Sequence, residues 1–278
     1  MTAISVPAPT TSRTLTTIAR DTAVHTWRNF IHLAREPLRL SDVTIQPILF
    51  TLLFVYVFGA GVALPGGGSY TEYAIAGMLA LNLTTGAIGT AVGLSTDLAT
   101  GVIDRFRTLP QWPAAVLVGR SIADAMTAAI CTGIVMAMGL VVGWRPGGSV
   151  LETAGAIGVV LLFAYAMSWI CACIGIASKD AESAQNLGLI VLFPLSFVSN
   201  ALVPTAHMPA VLRAIANYNP VSAVTAAARQ LLHNPNPSAT ISAWPMQHPV
   251  LASLIWSIGL IAIAAPIATR LYRKRTSD

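Results

Sequence analysis

The sequence predicts an all-α membrane protein. It should have six transmembrane helices, an N-terminal interfacial amphipathic helix, and outer re-entrant helices before the last span. Three observations predict this. Charged residues are 10% of the 278 positions and hydrophobic residues 55%, where a soluble domain carries ~25% charge. The mean hydropathy is +0.69. The few charges are bunched, which leaves long stretches with none.

The charge-free windows run from Asp42 to Glu72, Glu72 to Asp97, Asp124 to Arg145, Glu152 to Lys179, Glu182 to Arg213 and Arg229 to Arg270. A bilayer core takes ~20 residues of helix. The windows hold spans at about 43–61, 71–95, 119–143, 151–177, 184–203 and 249–269. Lipid offers backbone groups no partner, so these runs should be helices.

Residues 1–16 are rich in Ser, Thr, Pro and Ala and read as a disordered cytoplasmic tail. The first apolar run lies far from Met1, so no cleavable leader is expected. Within 17–38, Asp21, His25, Arg28, His32 and Arg35 recur on one helical face. Ala23, Trp27, Phe30, Ile31 and Ala34 make the other. This reads as a helix lying in the membrane interface and ending at Pro37, the other reading being a partner-binding helix. Residues 39–278 form the transmembrane domain. Leu64 to Ser69 and Trp144 to Gly148 are turns. In 204–232, Ala210 to Tyr218 and Val221 to Leu232 are two short helices divided by Asn219-Pro220, too short to span.

Orientation follows from the cations in the short loops. With a cytoplasmic N-terminus, only Arg145, Arg213 and Arg229 of the 16 Lys and Arg fall outside. Both termini are then cytoplasmic, and the net charge of +5 is a topology signal rather than a nucleic-acid surface.

Few residues offer chemistry. No GxxxxGK[ST] segment exists, so the chain does not itself cradle a nucleotide by a P-loop. No Ser-His-Asp, HExxH or paired-carboxylate pattern appears within a span. Cys131, Cys171 and Cys173 sit in apolar runs without a nearby His and read as small core residues, not zinc ligands. No metal or cofactor is expected in this chain. Arg120 and Asp124, one turn apart, read either as a self-paired boundary ion pair or as a relay. Asn82, Phe193, Ser196, Ser199 and Asn200 are the candidates for lining a substrate pathway, with Pro194 as a kink. Gly89-x-x-x-Gly93 and Gly139-x-x-x-Gly143 allow close packing, within the chain or against a second copy.

The loop 97–115 is the most specific local feature. Asp97, Asp104, Arg105 and Arg107 are compressed between two spans, with Leu98, Val102, Ile103 and Phe106 at helical spacing. Pro110 and Pro113 stop the helix. It is either a short amphipathic helix that transmits motion or a solvated connection.

Several blocks carry a resemblance. They are Ser41-Asp42 with Pro47 to Phe54, Gly101 to Pro110, Leu192 to Asn200, Asn219 to Ser222, and Leu271 to Arg275. On these the chain resembles the ABC-2 type permeases, most closely the daunorubicin-resistance group of drug exporters. The resemblance implies a type V exporter-like fold and a complex with a separate ABC ATPase, which binds ATP and Mg. It also implies a second permease copy or paralogue. Loop 97–115 then looks like the coupling helix, with Asp97, Asp104, Arg105, Phe106 and Arg107 as contacts. Many relatives carry Glu around this loop, whereas this chain has Asp97 and Asp104, which leaves open which acid, if either, meets the ATPase. The cargo implied is an amphipathic drug or a lipid. An ATP-independent secondary transporter is the alternative, but Asp124 is the lone acid placed to serve as a relay. A lipid-modifying membrane enzyme would lack a visible catalytic set.

Overall fold

The computed structural model describes residues 23, 24, 26, 27, 31, 37–59, 61, 62, 64–100 and 115–275, without the side chains of 37–40, 42, 115–117 and 207. Every long regular element among them is an α-helix. Four helical stretches are long and apolar enough to cross a membrane: Tyr70–Ala99, Val118–Val141, Val150–Ala177 and Pro249–Arg275. They match four of the six expected spans. The other two expected spans are also helical, but shorter.

The first is α1 (Pro37–Leu53), extended by a π-helical turn over Phe54–Phe58. It begins at Pro37, before the expected start, because a proline at the first helical position gives up only an N–H that is unpaired anyway. Thr51 Oγ1 donates to the carbonyl of Pro47 at 2.7 Å, one turn back. The second expected span is α2 (Tyr70–Gly86) and α3 (Ile88–Ala99), broken at Ala87. α4 (Ala115–Val141) and α5 (Val150–Ala177) follow. A reciprocal capping box between Ser149 and Glu152 starts α5.

α5 is the centre of the bundle. It packs against α2, α3 and α4, and against three elements described next: α6 (Ala181–Phe197), α8 (Pro220–Leu231) and α10 (Pro249–Arg275). Asp180 caps α6. The backbone N–H of Ser183 donates to its carboxylate at 2.7 Å and holds it below its ordinary range. Arg275, at the end of α10, donates to the carbonyls of Ile176 and Ser178 and so closes the end of α5.

α7 (Ala210–Tyr218) and α8 fall where the Asn219-Pro220 boundary puts two short helices. α9 (Trp244–Gln247) is a single turn before α10. α6 stops at Phe197, and residues 198–204 run without helix. Asn219 joins the pieces. Its Oδ1 accepts from the Val221 N–H at 2.8 Å and caps α8, while its Nδ2 donates to the carbonyls of Leu195 and Val198, both at 2.7 Å. One side chain thus caps the start of one helix and the end of another.

At the N-terminus, Ala23, Val24, Thr26, Trp27 and Ile31 are helical, and Thr26 Oγ1 donates to the Gly119 carbonyl at 3.2 Å. The charged face expected from Asp21, His25, Arg28, His32 and Arg35 lies outside the described residues or side chains.

Asn219→Ala should remove the cap and leave two partly buried carbonyls short of a donor. Such groups cost about 1–3 kcal/mol each, so the loss should be about 2–4 kcal/mol. The thermal midpoint in detergent, followed by tryptophan fluorescence, checks it. An unchanged midpoint would sink this account of the joint.

Candidate functional site

Two polar clusters sit at opposite ends of the long α2–α3 span. The first lies where 198–204 leaves the helical state. Arg229, the last turn of α8, is fully buried there. Its Nε and Nη2 donate to the Tyr73 carbonyl at 3.2 and 3.1 Å. Its Nη1 donates to the Asn200 carbonyl at 3.0 Å, and Nη2 also donates to that of Ala201 at 2.7 Å. The guanidinium carbon lies 3.5 Å from the centre of the Tyr73 ring. A desolvated cation over an aromatic face gains ~2 kcal/mol.

The tyrosines complete the set. Tyr73 donates its hydroxyl to the Asn200 carbonyl at 2.6 Å, and Tyr70 donates to that of Leu202 at 3.1 Å. The Asn200 N–H donates to Ser222 Oγ at 2.9 Å. Gly77 lets the segment approach: a Cβ there would stand 1.8 Å from the Ala201 carbonyl oxygen. Asn234 ties the neighbours in, accepting from Trp144 Nε1 at 3.1 Å and donating to the Glu72 carbonyl at 2.7 Å.

Arg229 read from sequence as one of three outside cations. Its signal was in its own helix. Val221 through Arg229 are all buried. A run of Ala, Ser, Thr and Val with no polar stripe marks a helix buried all round, so its terminal cation must be buried too.

The second cluster lies beside the 101–114 loop. Arg120 Nη1 and Asp97 Oδ2 are 3.3 Å apart, with side chains 10% and 23% exposed. Arg120 Nη2 donates to the Gly89 carbonyl at 3.3 Å. Four residues on, Asp124 Oδ2 accepts from Thr90 Oγ1 at 2.7 Å. The ion pair that the described residues show for Arg120 runs between helices, to Asp97. The reason is steric. Gly93 leaves room for the guanidinium to lie on α3, and a Cβ there would stand 1.8 Å from Arg120 Nη2. Gly89-x-x-x-Gly93 is therefore a seat for an arginine in this chain. In the other expected pair, a Cβ on Gly139 would meet the Trp144 ring at 2.8 Å. Asp104, Arg105, Phe106 and Arg107 lie outside the described residues.

The expected pathway residues divide. Ser196, Ser199 and Asn200 come together at the unwound segment and are buried. Ser199 Oγ donates to the Ser196 carbonyl, and Asn200 Nδ2 to Ser238 Oγ at 2.9 Å. Asn82 is buried on α2, its Nδ2 bonded to the Met78 carbonyl at 2.9 Å. Phe193 is 50% exposed and stacks on Phe197 at 4.2 Å between ring centres. It is the member of the set on an open apolar face, which continues through Ile190 and Val191 of α6.

An all-helical bundle with charge only at the ends of its spans has its counterpart among known proteins. The family model for the ABC-2 type transporter matches residues 20–233. The chain belongs to the ABC-2 type transporter family. It is 34% identical over 264 residues to the daunorubicin resistance ABC transporter permease protein DrrB1 of Streptomyces coeruleorubidus, covering 93% of this chain and 90% of that one. It is 24% identical over 259 residues to the probable doxorubicin resistance ABC transporter permease protein DrrC of Mycobacterium tuberculosis, covering 92% and 89%. The ABC-2 chain described here is thus a membrane protein of permease type. The family match takes in both polar clusters, since Arg229 lies near its end.

Arg229→Lys should destabilise almost as much as Arg229→Met. A single ammonium cannot serve the Tyr73 carbonyl and the Asn200 and Ala201 carbonyls together. At about 1–3 kcal/mol per buried unpaired carbonyl, each variant should lose roughly 3–6 kcal/mol. Membrane yield and detergent midpoint measure it, and a wild-type midpoint for the lysine variant would contradict the fork-like role.

Proposed function

We propose that this chain is the membrane-spanning subunit of an ABC exporter that moves amphipathic drugs or lipids out of the cell, powered by a separate ATPase. The observation that carries the reading is the 34% identity, over nearly the whole of both chains, to a permease named for daunorubicin resistance. The sequence adds that no P-loop is present, so ATP and Mg belong to the partner. Six spans cross the membrane in this reading, α1 and α6 being the short ones. Both termini are cytoplasmic, as the distribution of Lys and Arg favours. α7 and α8 are re-entrant helices of the outer side. The ATPase docks on 97–115 through Asp97, Asp104, Arg105, Phe106 and Arg107. A second permease copy or paralogue and membrane lipid cover the apolar faces that a single chain leaves exposed on α1 and α6, such as Leu49, Phe50, Ile190 and Phe193.

Arg105→Glu and Phe106→Asp should weaken docking by about tenfold or more, ~1.4 kcal/mol, and lower drug efflux in cells correspondingly. Membrane insertion should be unaffected. Efflux at the wild-type rate in both variants would overturn the docking role. ATP turnover by the purified chain without its partner would overturn the division of labour.

A further inference from the structure

Residues 101–114 connect α3 to α4 along the chain, yet these helices belong to different parts of the bundle. α3 packs chiefly on α5 and α6, and α4 on α1, α5 and α2. Near the loop, Leu98 of α3 and Val118 of α4 pack on the same apolar cluster around Leu94, and two polar contacts add to this. Asp97 meets Arg120 at 3.3 Å, and Thr90 meets Asp124 at 2.7 Å. α3 and α4 run antiparallel, so the two contacts are successive rungs. They lie about 10 Å apart along α3 and about 6 Å apart along α4, at 1.5 Å per residue. One contact would leave two rods free to swivel. Two at different heights fix both register and tilt.

The chain is shaped around the first rung. Gly93 is the floor on which the guanidinium lies, and the Gly89 carbonyl accepts from its far nitrogen. The pair sits where the field is strong, since Arg120 is nearly buried. A charge left unpaired in a bilayer costs at least ~2.5 kcal/mol at the centre of a span, so opening the rung is penalised from both sides.

The geometry points to Asp97, Arg120, Thr90 and Asp124 as a two-rung clip that makes α3 and α4 one lever, moved as a unit when the loop between them is pushed. These are positioning residues for transport. The inference rests on the reading of that loop as the ATPase's docking site.

The test uses the full complex with its ATPase in lipid nanodiscs, so no cargo need be known. Amide hydrogen exchange over 181–204 is compared with and without ATP. In the wild type, ATP should change it. In Asp97→Asn/Arg120→Gln the ATP-dependent change should shrink at least about fivefold, the low end of coupling between distant sites, while ATP hydrolysis continues. Gly93→Ala, which displaces the guanidinium, should shrink it too. The swapped pair Asp97→Arg/Arg120→Asp should restore it, which loss of packing alone would not allow. Cysteines at 97 and 120 joined by a short bis-maleimide should leave the response intact.

Variants that keep the full response overturn the clip, as does a response abolished by the cross-link. A wild-type complex that shows no ATP response at all overturns the docking reading first, and the clip with it. Should the neutral pair fail to assemble, the cross-linked and glycine variants still decide.

Discussion

A helix that ends among packed, apolar neighbours leaves carbonyls with nothing to bond, and this constraint shapes one end of the molecule. α6 stops at Phe197, and the next residues run as a series of bends among other helices. Their acceptors are met one at a time by Asn219, Tyr70, Tyr73 and Arg229. These donors come from the start of α2 and the two ends of α8. The break in α6 therefore fixes where α2 and α8 must lie. Arg229 meets no carboxylate among the described residues. Carbonyl dipoles and an aromatic face balance it instead, which suits a cation that never has to be released.

Charge at the opposite end is used differently. Asp97 and Arg120 form a true ion pair between two helices, and Asp97 keeps some contact with water. A partly solvated pair is weaker than a dry one but tolerates small movement. The buried cluster holds a backbone in place, and the half-exposed one holds two helices together.

Much of the fold was legible because lipid leaves few choices. Charge-free windows located all six long helices, and Asn219-Pro220 located the boundary of the short ones, since a cap residue followed by proline is a helix start. The ends were less legible. Pro37 begins α1 where a stop was expected, because proline reads alike at either side of a boundary. The clusters were hidden for another reason. Arg229 finds its partners in residues remote in the chain, and Arg120 in a residue across the loop. Helical spacing shows which residues share a face, not which face meets it. So the reach of Arg120 across to Asp97, with Gly93 as its seat, was not legible from spacing. Ser196, Ser199 and Asn200 looked suited to a pathway because they are polar within a span. Their shared place at the unwound turn needed the tertiary contacts of Ser222 and Ser238.

The α2–α3 span connects the two clusters. One end is pinned at Tyr70 and Tyr73, the other is tied to α4 through Thr90 and Asp97. Between them the α-helical ladder is interrupted at Ala87, with an i→i+3 bond from the Thr90 N–H to the Ala87 carbonyl at 2.9 Å. Gly86 and Gly89 flank the break, and a Cβ at either would meet nothing within 4 Å. A rod held at both ends bends where its internal bonds are fewest and its neighbours farthest. In this span the first condition is met at Ala87, although Ala87 itself is buried in the core. The break near Ala87 therefore separates the half of the span held by the Arg229 cluster from the half tied to α4.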